Sequence, residues 1–327
     1  MTRVDPSAAS PAARLPLIDA ARGLAVAAMI VYHFSWDLRY FGFITADVAG
    51  DLGWRIFARL IAGSFIFVAG VSLVLATRNG LHLDRYVKRL AILVGAAASV
   101  TLVTWFVFPD NFIFFGILHH IALASVLGLA FIRAPLPMVI AAAVLCFAIP
   151  PLLAGPAFDH PALIWLGLAS YFPRTNDFVP VFPWFGVVLA GIATARLAPT
   201  LVADGPVLAM TRRLSGWIPW PLLWMGRHSL AIYLLHQPIL LGLVYLAAQV
   251  APPDLLGFEP SFVESCAASC VESESEAGLC RQTCECLADR SQGEGLWGDL
   301  MRETLSEEQT RRYFELADAC RAAPGAR

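Results

Sequence analysis

The sequence predicts an all-α protein: a polytopic transmembrane helical bundle of about seven spans, followed by a small Cys-rich helical tail. Of its 327 residues, 58% are hydrophobic and 15% charged, and the mean hydropathy is +0.65. Soluble domains are roughly half apolar and a quarter charged. The net charge of -2 conceals a division. Residues 1–250 carry 16 basic and 10 acidic groups, whereas 251–327 carry 7 basic and 15 acidic. Six of the seven cysteines lie in that second stretch. Two regions with different solvents are implied: a transmembrane domain over 1–250 and an acidic tail over 251–327.

Apolar runs approaching the ~20 residues that a bilayer requires lie near 17–38, 54–76, 88–108, 112–132, 134–153, 179–198 and 229–249. HPALIWLGLASYF at 160–172 and WIPWPLLWM at 217–225 read as interfacial or re-entrant pieces. Cytoplasmic loops are enriched in Lys and Arg. Segment 77–89 carries Arg78, Arg85, Lys88 and Arg89, and segment 196–227 carries Arg196, Arg212, Arg213 and Arg227, while the turn Pro109–Asn111 has no basic group. The two basic loops are therefore expected in the cytoplasm. So is the amino terminus, with Arg3 and Arg14, and an odd number of spans then puts the tail on the far side of the inner membrane. The first run has no convincing small-residue cleavage site and is expected to remain as an anchor.

The tail supports that orientation independently. Cys266 and Cys270 form one C-x3-C pair, and Cys280 and Cys284 another. Each pair puts two sulfurs on one helical face, which suits an antiparallel hairpin bridged 266–284 and 270–280. Cys286 and Cys320 would then form a third bridge. The acidic connector VESESEAGL reads as a solvated turn, Ser306 with Gln309 as a capping box, and Tyr313, Leu316, Ala317 and Cys320 as a short apolar stripe. A four-thiolate metal site uses overlapping spacings, and free thiols are a further alternative. Disulfides are favoured because a small domain with little core needs staples and an outward tail meets an oxidising compartment. No metal is expected.

Ionisable residues within hydrocarbon cost ~2.5–3.5 kcal/mol each on insertion scales, so a repeated set marks a functional site. In LIDAARGLAVAAMIVYHFSWDL, Arg22 and His33 are separated by ten residues. On an α-helix they share one face, roughly 16 Å apart along the axis. Asp19 lies one turn before Arg22, and Asp37 one turn after His33. Each also has a local reading: Asp19 and Arg22 as a structural ion pair, His33 as a satisfied core histidine. His119 and His120 are adjacent and point ~100° apart, so one of them at most faces a given site. Arg227 and His228 open the last span, where a cytoplasmic basic bias alone would place them. His236 precedes Gln237 and Pro238, where the helix loses a backbone bond. Tyr233 and Trp184 read as membrane packing.

The phrase LIDAARGLAVAAMIVYH resembles the opening helix of the membrane-bound acyltransferase-three superfamily, whose hallmark is Arg, ten residues, then His. IAGSFIFVAGVSLVLA is similar to the second helix of those proteins, with Gly63, Phe65, Phe67 and Gly70 at the matching places. Asp-x-x-Arg-Gly at 19–23, FFGILHHIALASVL at 114–127 and FPWFGVVLAGI at 182–192 more closely resemble bacterial relatives of heparan-α-glucosaminide N-acetyltransferase. The resemblance covers about 15–250 and omits the tail. It departs from the heparan enzyme at one point: the catalytic histidine of that enzyme lies between the first helix and the second-helix phrase, and residues 38–62 here contain no His.

The resemblance implies an acyl-CoA-dependent acyltransferase that moves an acyl group, commonly acetyl, from acetyl-CoA to a hydroxyl or amine of a glycan or envelope acceptor. His33 becomes the general base or transient acyl carrier, with Asp37 orienting its ring. Arg22, with Asp19, Arg227 and His228, is assigned to the CoA side, and His119, His120 and His236 to the acceptor. Membrane lipid is a partner, nucleic acid is not, and a homo-oligomer is allowed. The alternative class is a proton-coupled small-molecule transporter, because polar stripes and a Pro-broken helix also describe such carriers. No inverted repeat is visible.

Overall fold

The computed structural model describes residues 15–197, 216, 218–253, 255–272, 277–301 and 305–322. Seven apolar helices occur at the seven apolar runs: α1 (Pro16–Tyr40), α2 (Leu52–Thr77), α3 (Leu83–Val107), α4 (Ile117–Ile132), α5 (Leu136–Leu153), α6 (Val181–Leu197) and, after the short α7 (Trp220–Arg227), α8 (Ser229–Val250). Four tail helices follow: α9 (Glu259–Glu272), α10 (Ala277–Gly293), α11 (Trp297–Met301) and α12 (Glu307–Ala322). No strand occurs among the described residues.

Five of the apolar helices, α1, α2, α3, α5 and α8, are long and apolar enough to cross a membrane, while α4 and α6 are shorter, at 16 and 17 residues. The two shortened runs have a common cause. Residues 111–116 run beside 175–179: the Asn176 amide donates to the Asn111 carbonyl at 2.9 Å, and the Val179 amide to the Phe115 carbonyl at 3.1 Å. Asp177 then accepts the Ile117 N–H at 2.9 Å, so α4 begins there and not at Phe112. Segment 160–172 holds only a 3-10 turn at Ile164–Leu166, and 217–225 contributes most of α7. Arg3, Arg14, Arg212, Arg213 and residues 273–276 of the acidic connector lie outside the described residues.

By contact the chain divides into two compact units, and the dividing points differ from the composition boundary near residue 250. The first takes the chain up to Met29 together with Phe57–Leu235. Its core is built from Ile66 and Leu73 of α2, Val139 and Ala143 of α5, and Val188, Leu189 and Ile192 of α6. Small residues let the backbones meet: a Cβ on Gly70 would strike the Val188 carbonyl oxygen, and one on Gly191 the Phe67 carbonyl oxygen. The same device joins α1 to α7, where Gly23 abuts the Leu222 carbonyl and Gly226 the Asp19 carbonyl. At the end of α4, Arg196 donates to the Phe131 and Ala134 carbonyls at 3.2 and 2.6 Å.

The second unit comprises Ile30–Ile56 and the chain from His236 onward. It therefore contains the carboxyl-terminal part of α1, the loop after it, the end of α8 and the tail. Cys266–Cys284 and Cys270–Cys280 bridge α9 to α10, and Cys286–Cys320 bridges α10 to α12. The first two are the pairings that the twin C-x3-C spacing suggests, and the third joins the two tail cysteines left over. Leu255, Phe258, Val263, Ala288 and Trp297 form one small core, and Leu287, Leu296, Leu316 and Ala317 another. The Trp297 indole donates to the Leu255 carbonyl at 2.8 Å. Ser306 and Gln309 make the expected reciprocal cap, at 2.9 and 3.2 Å. Gly42, with φ +87°, turns the chain after α1 and lies against Leu255.

Candidate active site

Two polar groups have members on α1, one in each unit. In the first unit Arg22 donates to Ser72 Oγ of α2 at 2.5 Å, and Ser72 in turn donates to the Val68 carbonyl at 2.5 Å. Asp19 does not pair with Arg22. The close approach of α1 and α7 brings it to Arg227, with Nε to Oδ2 at 3.5 Å. His228 closes α7: its Nδ1 is 2.9 Å from the Trp224 carbonyl and its ring lies 4.8 Å from the Trp224 ring. Ser72, which fixes the Arg22 fork, is not among the sequence candidates. A lone Ser in an apolar helix usually bonds its own turn, so nothing in the sequence separates it from Ser64 or Ser99.

In the second unit His33 and Asp37 of α1 meet His236 and Gln237 of α8. The His33 and His236 rings are edge to face, 4.9 Å between centroids, and Tyr32 packs against His33 at 5.5 Å. Asp37 is fully buried, and its Oδ1 accepts from Gln237 Nε2 at 2.7 Å. Its Oδ2 has no hydrogen-bond partner among the described residues, so the expected Asp37 bond to the His33 ring is not formed in this structure. Gln237 takes that place. The sequence signal for it is a polar amide inside an otherwise apolar helix, the same signal that marks His236.

The two remaining histidine candidates, His119 and His120, stand apart from each other in role. The Gly116 N–H donates to His119 Nδ1 at 3.2 Å, which makes Nε2 the protonated nitrogen. That atom lies 3.1 Å from Thr101 Oγ1, and Thr101 donates onward to the Ile113 carbonyl at 2.6 Å. His119 is thus engaged on both sides at the α3–α4 turn. His120 is 1% exposed, and its ring faces the Val179 and Pro180 carbonyls without reaching hydrogen-bond geometry. Asp177, in the segment between spans, is pushed up to about 6 by burial, against the pull of the Ile117 N–H.

Helices long and apolar enough to span, with buried ionisable groups on α1, define a membrane protein with an internal polar site. Residues 14–238 match the family described as heparan-alpha-glucosaminide N-acetyltransferase, catalytic, and the chain belongs to that family of membrane acetyltransferases. No curated protein and no solved structure matches the chain. The match takes in both polar groups and stops at Pro238, directly after Gln237. The disulfide-bonded tail lies beyond it.

Proposed function

We propose that this protein transfers an acetyl group from acetyl-CoA to a hydroxyl or amine of a glycan or other envelope acceptor at the inner membrane, with His33 as the base. The observation that carries the reading is the buried meeting of His33 and Asp37 with His236 and Gln237, all inside the stretch that matches the acetyltransferase family. His33 takes the proton from the acceptor O–H or N–H as its lone pair attacks the thioester carbonyl. The new C–O or C–N bond forms, the C–S bond breaks, and CoA leaves with the proton that His33 returns. A transient acetyl-imidazole at His33 is the two-step version of the same exchange.

Arg22, held by Ser72, and Arg227, beside Asp19, are the groups assigned to the CoA phosphates; guanidinium binds phosphate through paired N–H donors. His228, His119, His120 and His236 complete the proposed set, although the bonds at His119 and His228 favour a positioning part for those two. In the first unit the Arg196 bonds bring the end of α6 to the end of α4, gathering Arg133 and Arg196 there. That clustering supports a cytoplasmic end. Three disulfides support an extracytoplasmic tail. Residues 1–250 would then be the transferase and 251–327 an outward domain.

The test is incubation of purified full-length protein with radiolabelled acetyl-CoA and a cell-envelope extract. A labelled glycan or lipid-linked product supports the reading. Absence of any labelled product, with uptake of small solutes by vesicles containing the protein, would replace it with the transporter alternative.

A further inference from the structure

Asp37 and Gln237 form a hydrogen-bonded pair that is left half open. Gln237 Nε2 holds Asp37 Oδ1 at 2.7 Å, while Asp37 Oδ2 and Gln237 Oε1 are buried and accept no hydrogen bond from the described residues. A buried acceptor without a donor costs about 1–3 kcal/mol, and two such atoms occur on one pair. This pair is also next to the histidines. Asp37 follows His33 by one turn of α1, and Gln237 follows His236 on α8, with the two imidazoles 4.9 Å apart.

We propose that Asp37 and Gln237 bind the acyl acceptor: Gln237 holds Asp37 by Oδ1, and Asp37 Oδ2 and Gln237 Oε1 receive hydrogen-bond donors of the acceptor. The proposal rests on the acetyltransferase reading given above. It specifies the acceptor as a molecule that presents two donors together, such as an amine or hydroxyl with a neighbouring hydroxyl on a ring. A site built to receive donors rejects a ligand lacking one of them strongly, because a buried acceptor is then left unpaired.

Two variants of the full-length protein separate this role from packing. Gln237→Leu keeps the bulk and removes both the donor and the open acceptor. Asp37→Asn keeps an oxygen for the Gln237 N–H but puts an N–H donor where Oδ2 stands. Each is assayed with radiolabelled acetyl-CoA and a titrated envelope extract. Both are expected to raise the KM for extract, or lower kcat, at least ~10-fold, with the KM for acetyl-CoA unchanged. A structural role would lower the melting temperature and leave both constants unmoved per folded molecule. If Gln237→Leu does not fold, Asp37→Asn decides. Labelled product from wild type, with variants within about twofold of it, overturns this proposal alone. No product from wild type overturns the acetyltransferase reading and this inference with it.

Discussion

The Arg39 guanidinium lies over the Phe258 ring, 4.2 Å from its centroid. Phe258 is 1% exposed and sits in the first tail core, whereas Arg39 is in the last turn of α1. The tail is therefore joined to the helix that carries His33 and Asp37, within one compact unit. Truncating a buried Phe to Ala costs about 3–5 kcal/mol, and a cation–π contact adds about 0.5–2 kcal/mol. Phe258→Ala should loosen the start of the tail without breaking its disulfides. Limited proteolysis of folded protein should cut near residues 251–258 at least ~10-fold faster in the variant, while an unchanged rate would show that the contact holds nothing.

Arg22→Lys keeps the charge and loses the fork that reaches Ser72. The KM for acetyl-CoA should rise about tenfold, equivalent to ~1.4 kcal/mol, with kcat little changed. Ser72→Ala should move the same constant in the same direction. Equal acetyl-CoA constants in all three proteins would make Arg22 a structural group.

Asp177 gives a pH dependence with a definite sign. Its folded carboxyl titrates at about 6 against an ordinary 3.8, so ionisation opposes folding. The stability gained from the protonated form is complete below about 4 and is lost as pH rises to about 6. Asp177→Asn keeps an oxygen for the Ile117 N–H and removes the titration. The stability of wild type should fall relative to that of the variant between about pH 4 and 6.5, by at most ~3 kcal/mol, seen as a melting temperature that drops behind the variant's over that range. A gap that does not change with pH would contradict this assignment.

Much of this architecture is legible in the sequence because the signals are local. Apolar run length locates the seven apolar helices among the described residues, and the twin C-x3-C spacing suggests two of the three bridges, leaving Cys286 and Cys320 for the third. The errors come from contacts between distant segments. The pairing of 111–116 with 175–179 starts α4 five residues late, and no periodicity in either segment announces it. The same holds for the site: Arg22 and His33 are marked by their ionisable side chains within an apolar run. Their partners Ser72 and His236, the Asp19 bond to Arg227 and the Asp37 bond to Gln237 depend on helix packing, which one chain's pattern does not encode.

The tail cysteines test the orientation. All six are bonded, in a domain whose cores are small; removing a bridge from such a domain costs about 2–5 kcal/mol. A membrane-impermeant thiol reagent applied to spheroplasts should label the tail only after reduction. Labelling without reductant, from the cytoplasmic side alone, would reverse the topology.

The most direct measurement is acetyl transfer by His33→Ala, assayed beside wild type with radiolabelled acetyl-CoA and envelope extract, at equal amounts of folded protein. A base or acyl carrier supplies at least ~10²-fold, so the account predicts that labelled product falls by that factor or more while the melting temperature holds. Turnover of the variant at the wild-type rate would contradict the assignment of His33 as the group that moves the proton.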